Sequence, residues 1–211
     1  PSPSESTGGV NALRSPERAA NMRAIEAGAT EARRELERKE DGAPKVANKH
    51  YCIMLKVPEK DAQHLWGASP VPPTQKPHVT VGLYDIDDPA KAELIAREWA
   101  EQTEPVKLLI GPDTWVWENG TGPEDRPFVV GVRSDSLHEA NARLAEIAKR
   151  YGGDEAGMGK GDYKPHFTIA YLDADVPGDV ALTEARMAAV SATDAELSMR
   201  DGSKLLLRLR D

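Results

Sequence analysis

Two stretches decide how this chain reads: Lys76-Pro77-His78-Val79-Thr80-Val81-Gly82-Leu83-Tyr84 and Lys164-Pro165-His166-Phe167-Thr168-Ile169-Ala170-Tyr171-Leu172. Lysine, proline, histidine and threonine coincide position for position. An apolar residue separates His from Thr in both copies, and another follows Thr. His78 and His166 stand 88 residues apart, enough for each copy to occupy its own lobe. A duplicated lobe tends to pack about a pseudo-twofold axis, which would bring the two copies together. Side chains alternate along a strand, so His78 and Thr80 share one face while Val79 and Val81 share the other. His166 and Thr168 stand in the same relation to Phe167 and Ile169. Each strand would bury an apolar face and turn a His/Thr face toward a cleft.

Two imidazoles and two hydroxyls in one cleft suit a phosphodiester. One histidine can take a proton from the attacking oxygen while the other gives one to the leaving oxygen. The threonine hydroxyls can donate to the non-bridging phosphate oxygens. That arrangement calls for no metal and no cofactor. A single His-x-Thr on a strand is most often a structural histidine. Repetition of the whole Lys-Pro-His-apolar-Thr-apolar frame argues against that reading here.

Lys76 and Lys164 precede their histidines by two residues, so alternation would put them on the cleft face as substrate-binding cations. Pro77 and Pro165 can disturb that geometry, and a solvated lysine is the competing reading. Tyr163, just before the second frame, is the preferred residue for stacking on a base. Trp66, Trp115 and Trp117 are further stacking candidates, with core packing as the alternative.

The paired His-x-Thr frames resemble the 2H phosphoesterase superfamily of LigT-like phosphodiesterases. The resemblance covers roughly residues 48–211 in motif and element order. It implies an α+β, bilobal fold: two related α/β lobes with antiparallel sheets around a central cleft. It implies metal-independent cleavage of a 2′,3′-cyclic phosphate, a 2′-5′ linkage or a cyclic nucleotide. Catalytic roles fall on His78 and His166, and phosphate-binding roles on Thr80 and Thr168. The Tyr163-Lys164-Pro165-His166-Phe167-Thr168 run is similar to the phage members that degrade cyclic oligonucleotide immune signals, the anti-CBASS type. On that branch the enzyme would be virus-encoded and act in the host cytoplasm. A LigT-type RNA phosphodiesterase is the alternative. A non-catalytic nucleotide-binding module of a virion assembly is the alternative of another class.

Composition narrows the partner. The 211 residues carry a net charge of −8. Proteins that grip long nucleic acids usually present a basic face, because phosphate neutralisation supplies much of their affinity. The expected partner is therefore a small nucleotide or short cyclic oligonucleotide. No apolar run approaches the roughly 18 residues of a membrane span. Cys52 is the only cysteine, so no internal disulfide forms, which favours a reducing, cytoplasmic setting.

Residues 1–46 read as a disordered lead, an exposed helix beginning at Ser15-Pro16-Glu17, and a linker. That helix has a thin apolar stripe, which suits docking to a protein partner. Residues 47–211 read as the compact domain. Strands are expected over residues 51–57, 78–84, 106–110, 114–117, 128–133, 165–172, 187–190, 196–199 and 205–209. Helices are expected over 59–66, 89–102 and from Ser136 to an end at Tyr151-Gly152-Gly153. Gly157-Met158-Gly159-Lys160-Gly161 lacks the P-loop pattern, and residues 152–161 read as a mobile flap. His50, His64 and His138 show no metal-ligand spacing and read as surface or structural residues.

Overall fold

The computed structural model describes residues 48–73, 76–117, 126–156, 163–173, 175–176, 178–179, 181–182 and 187–210. The expected lead and helix over 1–46, the loop over 119–123 and the glycine-rich run over 157–161 lie outside them. The elements run β1 (Tyr51–Lys56), α1 (Glu59–Trp66), β2 (His78–Asp85), α2 (Pro89–Gln102), β3 (Val106–Val116), β4 (Pro127–Arg133), α3 (Asp135–Arg150), β5 (Asp154–Ala156), β6 (His166–Tyr171), β7 (Ala188–Ala192), β8 (Asp194–Ser198) and β9 (Lys204–Arg208).

Local chemistry explains the helix starts. The Asp88 side chain accepts from the Ala90 amide at 2.9 Å, and Pro89 opens α2. The Ser134 hydroxyl accepts from the Leu137 amide at 2.9 Å and opens α3. Helical spacing then lines up Ala92, Ile95, Ala96 and Trp99 on α2, and Leu137, Ala140, Leu144 and Ile147 on α3, all buried. Trp99 is fully buried, and its Nε1–H donates to the Ala140 carbonyl at 2.9 Å, tying α2 to α3.

Among the described residues every strand pair is antiparallel, in a nine-stranded curled sheet ordered β7-β3-β4-β6-β2-β1-β8-β9, with β5 joining β2 off that path. The order divides at β6-β2 into two sets of four, β6-β4-β3-β7 and β2-β1-β8-β9. The two lobes are thus halves of one sheet, with the duplicated strands β2 and β6 at its centre. They are not consecutive pieces of chain. β1 and β2 begin the first half, and β8 and β9 return to complete it after the second half is built.

Two local expectations change. The strands expected over 106–110 and 114–117 are one strand, β3. Gly111-Pro112-Asp113 lies between them, and the sheet absorbs it as an irregularity between Ile110 and Thr114, with Gly111 at φ 97°. Part of the expected flap is sheet: β5 pairs Leu83, Tyr84 and Asp85 with Ala156, Glu155 and Asp154. Three residues are too few to show alternation. Gly153 admits this pairing, since a Cβ there would lie 2.9 Å from the Asp85 carbonyl oxygen.

Trp99→Ala removes the largest side chain between α2 and α3. It is expected to lower the unfolding free energy by about 3–5 kcal/mol in urea titrations, the usual range for emptying a buried aromatic site. A loss within about 0.5 kcal/mol, the size of a surface substitution, would contradict this role.

Candidate active site

β2 and β6 pair about one register point, Val79 opposite Phe167. Antiparallel geometry then sets His78 opposite Thr168 and Thr80 opposite His166. Val79 and Phe167 are both fully buried, so the four polar residues share the other face. The motifs therefore interlock as two His/Thr cross-strand pairs, with the histidines on the diagonal. Diagonal neighbours in such a pair sit roughly 7–8 Å apart, a span that a phosphate fills with an imidazole on each side.

Both rings are oriented by the same device. His78 Nδ1 lies 2.7 Å from the Lys76 carbonyl oxygen, and His166 Nδ1 lies 2.8 Å from that of Lys164. A carbonyl can only accept, so each Nδ1 carries the hydrogen. The neutral ring then keeps a lone pair on Nε2. The prolines serve this geometry, because the residue before a proline is held extended and Pro has no N–H of its own. Their carbonyls are also used alike: Val57 donates to Pro77 at 3.1 Å, and Val132 donates to Pro165 at 3.0 Å. The repeat in sequence is thus a repeat in hydrogen bonding.

Burial among protein atoms pushes both histidines below the ordinary imidazole value of 6.5. The backbone bonds to Lys76 and Lys164 offset part of that. Charge on His78 lowers His166 further, so the pair resists holding two protons. His166 and Thr168 are buried, and His78 and Thr80 are half-buried.

Tyr163 has a different surrounding from that of a stacking platform. Its hydroxyl donates to the Thr80 carbonyl at 2.5 Å, and its half-buried ring meets His138 edge-on at 5.5 Å. Burial raises the hydroxyl well above its ordinary value, so it stays a donor. Asn141 Nδ2 donates to the neighbouring Val81 carbonyl at 2.7 Å. Tyr163 reaches from the segment leading into β6 and Asn141 from α3, and both grip β2 where its pairing with β6 is sparse. Gly82 allows α3 this approach: a Cβ there would lie 3.1 Å from Asn141 Nδ2 and 3.2 Å from Leu144 Cδ2.

The side chains of Lys76 and Lys164 are exposed, and what these residues bring to the histidines is their carbonyls.

Sequence reasoning undervalued three residues at the site. Trp117 stands edge-on to His166 at 4.4 Å, and Trp115 lies 5.7 Å from Trp117. Their shared strand face is legible in sequence, but their closeness to His166 is tertiary. Cys52 hydrogen-bonds the Thr80 hydroxyl, and burial pushes its thiol up to about 12, which leaves it protonated and unreactive. Trp66 packs against the core at the end of α1. His50 belongs to a structural clamp, bonded at 2.8 Å to Asp85, which Arg200 also grips at 2.7 Å.

The lowered histidines make stability depend on pH. The unfolded chain takes up their protons near 6.5 and the folded chain only at lower pH. Their contribution is therefore full above about 6.5 and is lost as pH falls through the folded values. Urea midpoints are expected to drop from pH 7.5 to 5.5, and the drop should shrink in the His78→Gln/His166→Gln variant. An equal drop in both proteins would contradict the shifts.

No family model matches the chain, and no curated protein is found similar to it. Solved structures are. TT0787 of Thermus thermophilus aligns with a TM-score of 0.54 and 15% identity, over 77% of this chain and 100% of that one. The MHV ns2 PDE domain aligns at 0.49 with 17% identity, over 74% and 99% of the two chains. E. coli LigT aligns at 0.46 with 16% identity, over 77% and 98%. These last two superpose too loosely to add to the argument. On its sheet order and the TT0787 likeness, the chain has the fold of the 2H phosphoesterases.

Proposed function

We propose that the chain is a metal-independent phosphodiesterase in which His78 and His166 form one acid–base pair around a phosphate seated on Thr80 and Thr168. The observation that carries this is the interlocked quartet, with both rings held by the same Nδ1-to-carbonyl bond. In the working state one Nε2 is bare and the other protonated. The bare Nε2 takes the proton from the attacking hydroxyl or water as its oxygen bonds to phosphorus. The protonated Nε2 gives its proton to the leaving oxygen as the second P–O bond breaks. The two rings have then exchanged states, and water resets them. Threonine hydroxyls donate to the non-bridging oxygens, where charge builds in the transition state.

The substrate we propose is a cyclic nucleotide or cyclic oligonucleotide, with degradation of host immune signals by a phage enzyme as the biological setting. The net charge of −8 supports a small substrate over long RNA, and the Tyr163 to Thr168 run supports the branch. Mass spectrometry of products from cyclic dinucleotides, cyclic trinucleotides and 2′,3′-cyclic AMP tests it. Loss of 2′,3′-cyclic AMP alone would favour the LigT-type reading, and binding without product would favour a nucleotide-binding module.

His78→Ala and His166→Ala are each expected to reduce turnover by about 10²–10⁴-fold, the usual worth of a positioned acid or base. EDTA should leave wild-type turnover intact. Near-normal rates in either variant would remove the two-histidine mechanism.

Tyr163→Phe keeps the ring and deletes the strut to Thr80. It is expected to lower kcat by about tenfold with little change in KM, as for a group that sets geometry in the transition state. Tyr151→Phe, which loses only a bond to Glu98, serves as the control. Equal kcat for Tyr163→Phe and wild type would assign Tyr163 to stability alone.

A further inference from the structure

Register partners extend the groove face outward from the quartet in a line. On one side Lys56 is the partner of His78, and Asp194 follows on β8 by the register that pairs Leu55 with Ala195. Arg208 pairs with Asp194 on β9. On the other side Thr168 faces Val129, and Val129 faces Trp115. One flank of the phosphate seat is therefore ionic and the other aromatic.

The charges on the ionic flank are largely matched. Arg208 holds Asp194 at 2.9 Å, and Lys204 holds Glu196 at 3.1 Å. Glu196 reaches the same face as the partner of Met54, which in turn pairs with Thr80. Glu196 is thus answered by Lys204, and Asp194 by Arg208 with Lys56 adding a weaker attraction. Lys56 lies inboard of them on β1, exposed, one strand spacing from His78, or about 4.8 Å. Lys56, Lys204 and Arg208 against Asp194 and Glu196 leave one net positive charge here, within a chain of net −8. His78 reports the same sign, because Lys204 lowers it more than Glu196 raises it.

We infer that Lys56 is the cation of a second phosphate subsite on the His78 flank, so that the substrate carries at least two phosphates. This rests on the phosphodiesterase reading of the quartet. One phosphate occupies the His/Thr seat. The next along the nucleotide chain reaches Lys56, and the nucleoside on the other side of the scissile phosphate lies toward Trp115 and Trp117. A cyclic mononucleotide fills the seat and leaves Lys56 unused. Arginine at this position would serve nearly as well, since either cation can meet a phosphate.

The test compares kcat/KM for a cyclic dinucleotide with that for 2′,3′-cyclic AMP in wild type, Lys56→Glu and Lys56→Arg. Lys56→Glu is expected to cut the dinucleotide-to-mononucleotide ratio by about tenfold, and Lys56→Arg to keep it within about threefold. An unchanged ratio in Lys56→Glu would overturn the subsite. If the wild type cleaves neither compound, the phosphodiesterase reading fails, and calorimetry decides the subsite separately. Lys56→Glu should then weaken cyclic dinucleotide binding more than 2′,3′-cyclic AMP binding, and equal affinities in both proteins would overturn it.

Discussion

The groove depends on one strand pairing, Val79 against Phe167. At this point two halves of a sheet, built from interleaved pieces of chain, become one surface. Because side chains alternate, burying Val79 and Phe167 forces both His/Thr pairs onto the opposite face. Because the pairing is antiparallel, each histidine meets the other motif's threonine. A slip of one residue would bury the histidines and expose valine and phenylalanine, so the hydrophobic core protects the polar geometry. The seam has little backbone ladder of its own. Side chains supply the rest, with Tyr163 before β6 and Asn141 on α3 reaching to carbonyls of β2.

Legibility in the sequence followed the range of the interaction. The alternation in His78-Val79-Thr80-Val81 is local, so face assignment could be read directly. The helix start at Pro89 is local as well, whereas the start expected at Ser136 falls two residues after the Ser134 cap. The carbonyl roles of Lys76 and Lys164 were not legible, since side-chain alternation says nothing of which backbone oxygen orients a histidine. What escaped was non-local. Tyr163 and Thr80 are 83 residues apart, and only the closed sheet makes the hydroxyl a strut. Trp117 and His166 meet because β3 and β6 flank the same strand. Single-strand patterns also could not reveal that the two lobes share one sheet, because β8 and β9 return from the end of the chain to the first half.

The site combines a symmetric centre with unlike flanks. At the centre the two motifs provide the same ring orientation, the same carbonyl bonds and the same hydroxyls. Such symmetry suits a step in which one proton is taken and another given. Desolvation and mutual charge repulsion both act against holding two protons on the pair. The flanks break the symmetry. Tryptophans stand beside His166, and lysines, arginine and acids stand beside His78. On the proposed function, chemistry belongs to the repeated part and discrimination between substrates to the parts that are not repeated.

Heteronuclear NMR of the imidazole nitrogens during titration with inorganic phosphate tests the central claim most directly. Before phosphate is added, both rings should show a protonated Nδ1. As phosphate binds, the Nε2 resonances of His78 and His166 should shift together along one saturation curve. A shift at one histidine only, two separate curves, or a bare Nδ1 on either ring would contradict a single phosphate seat built from both motifs.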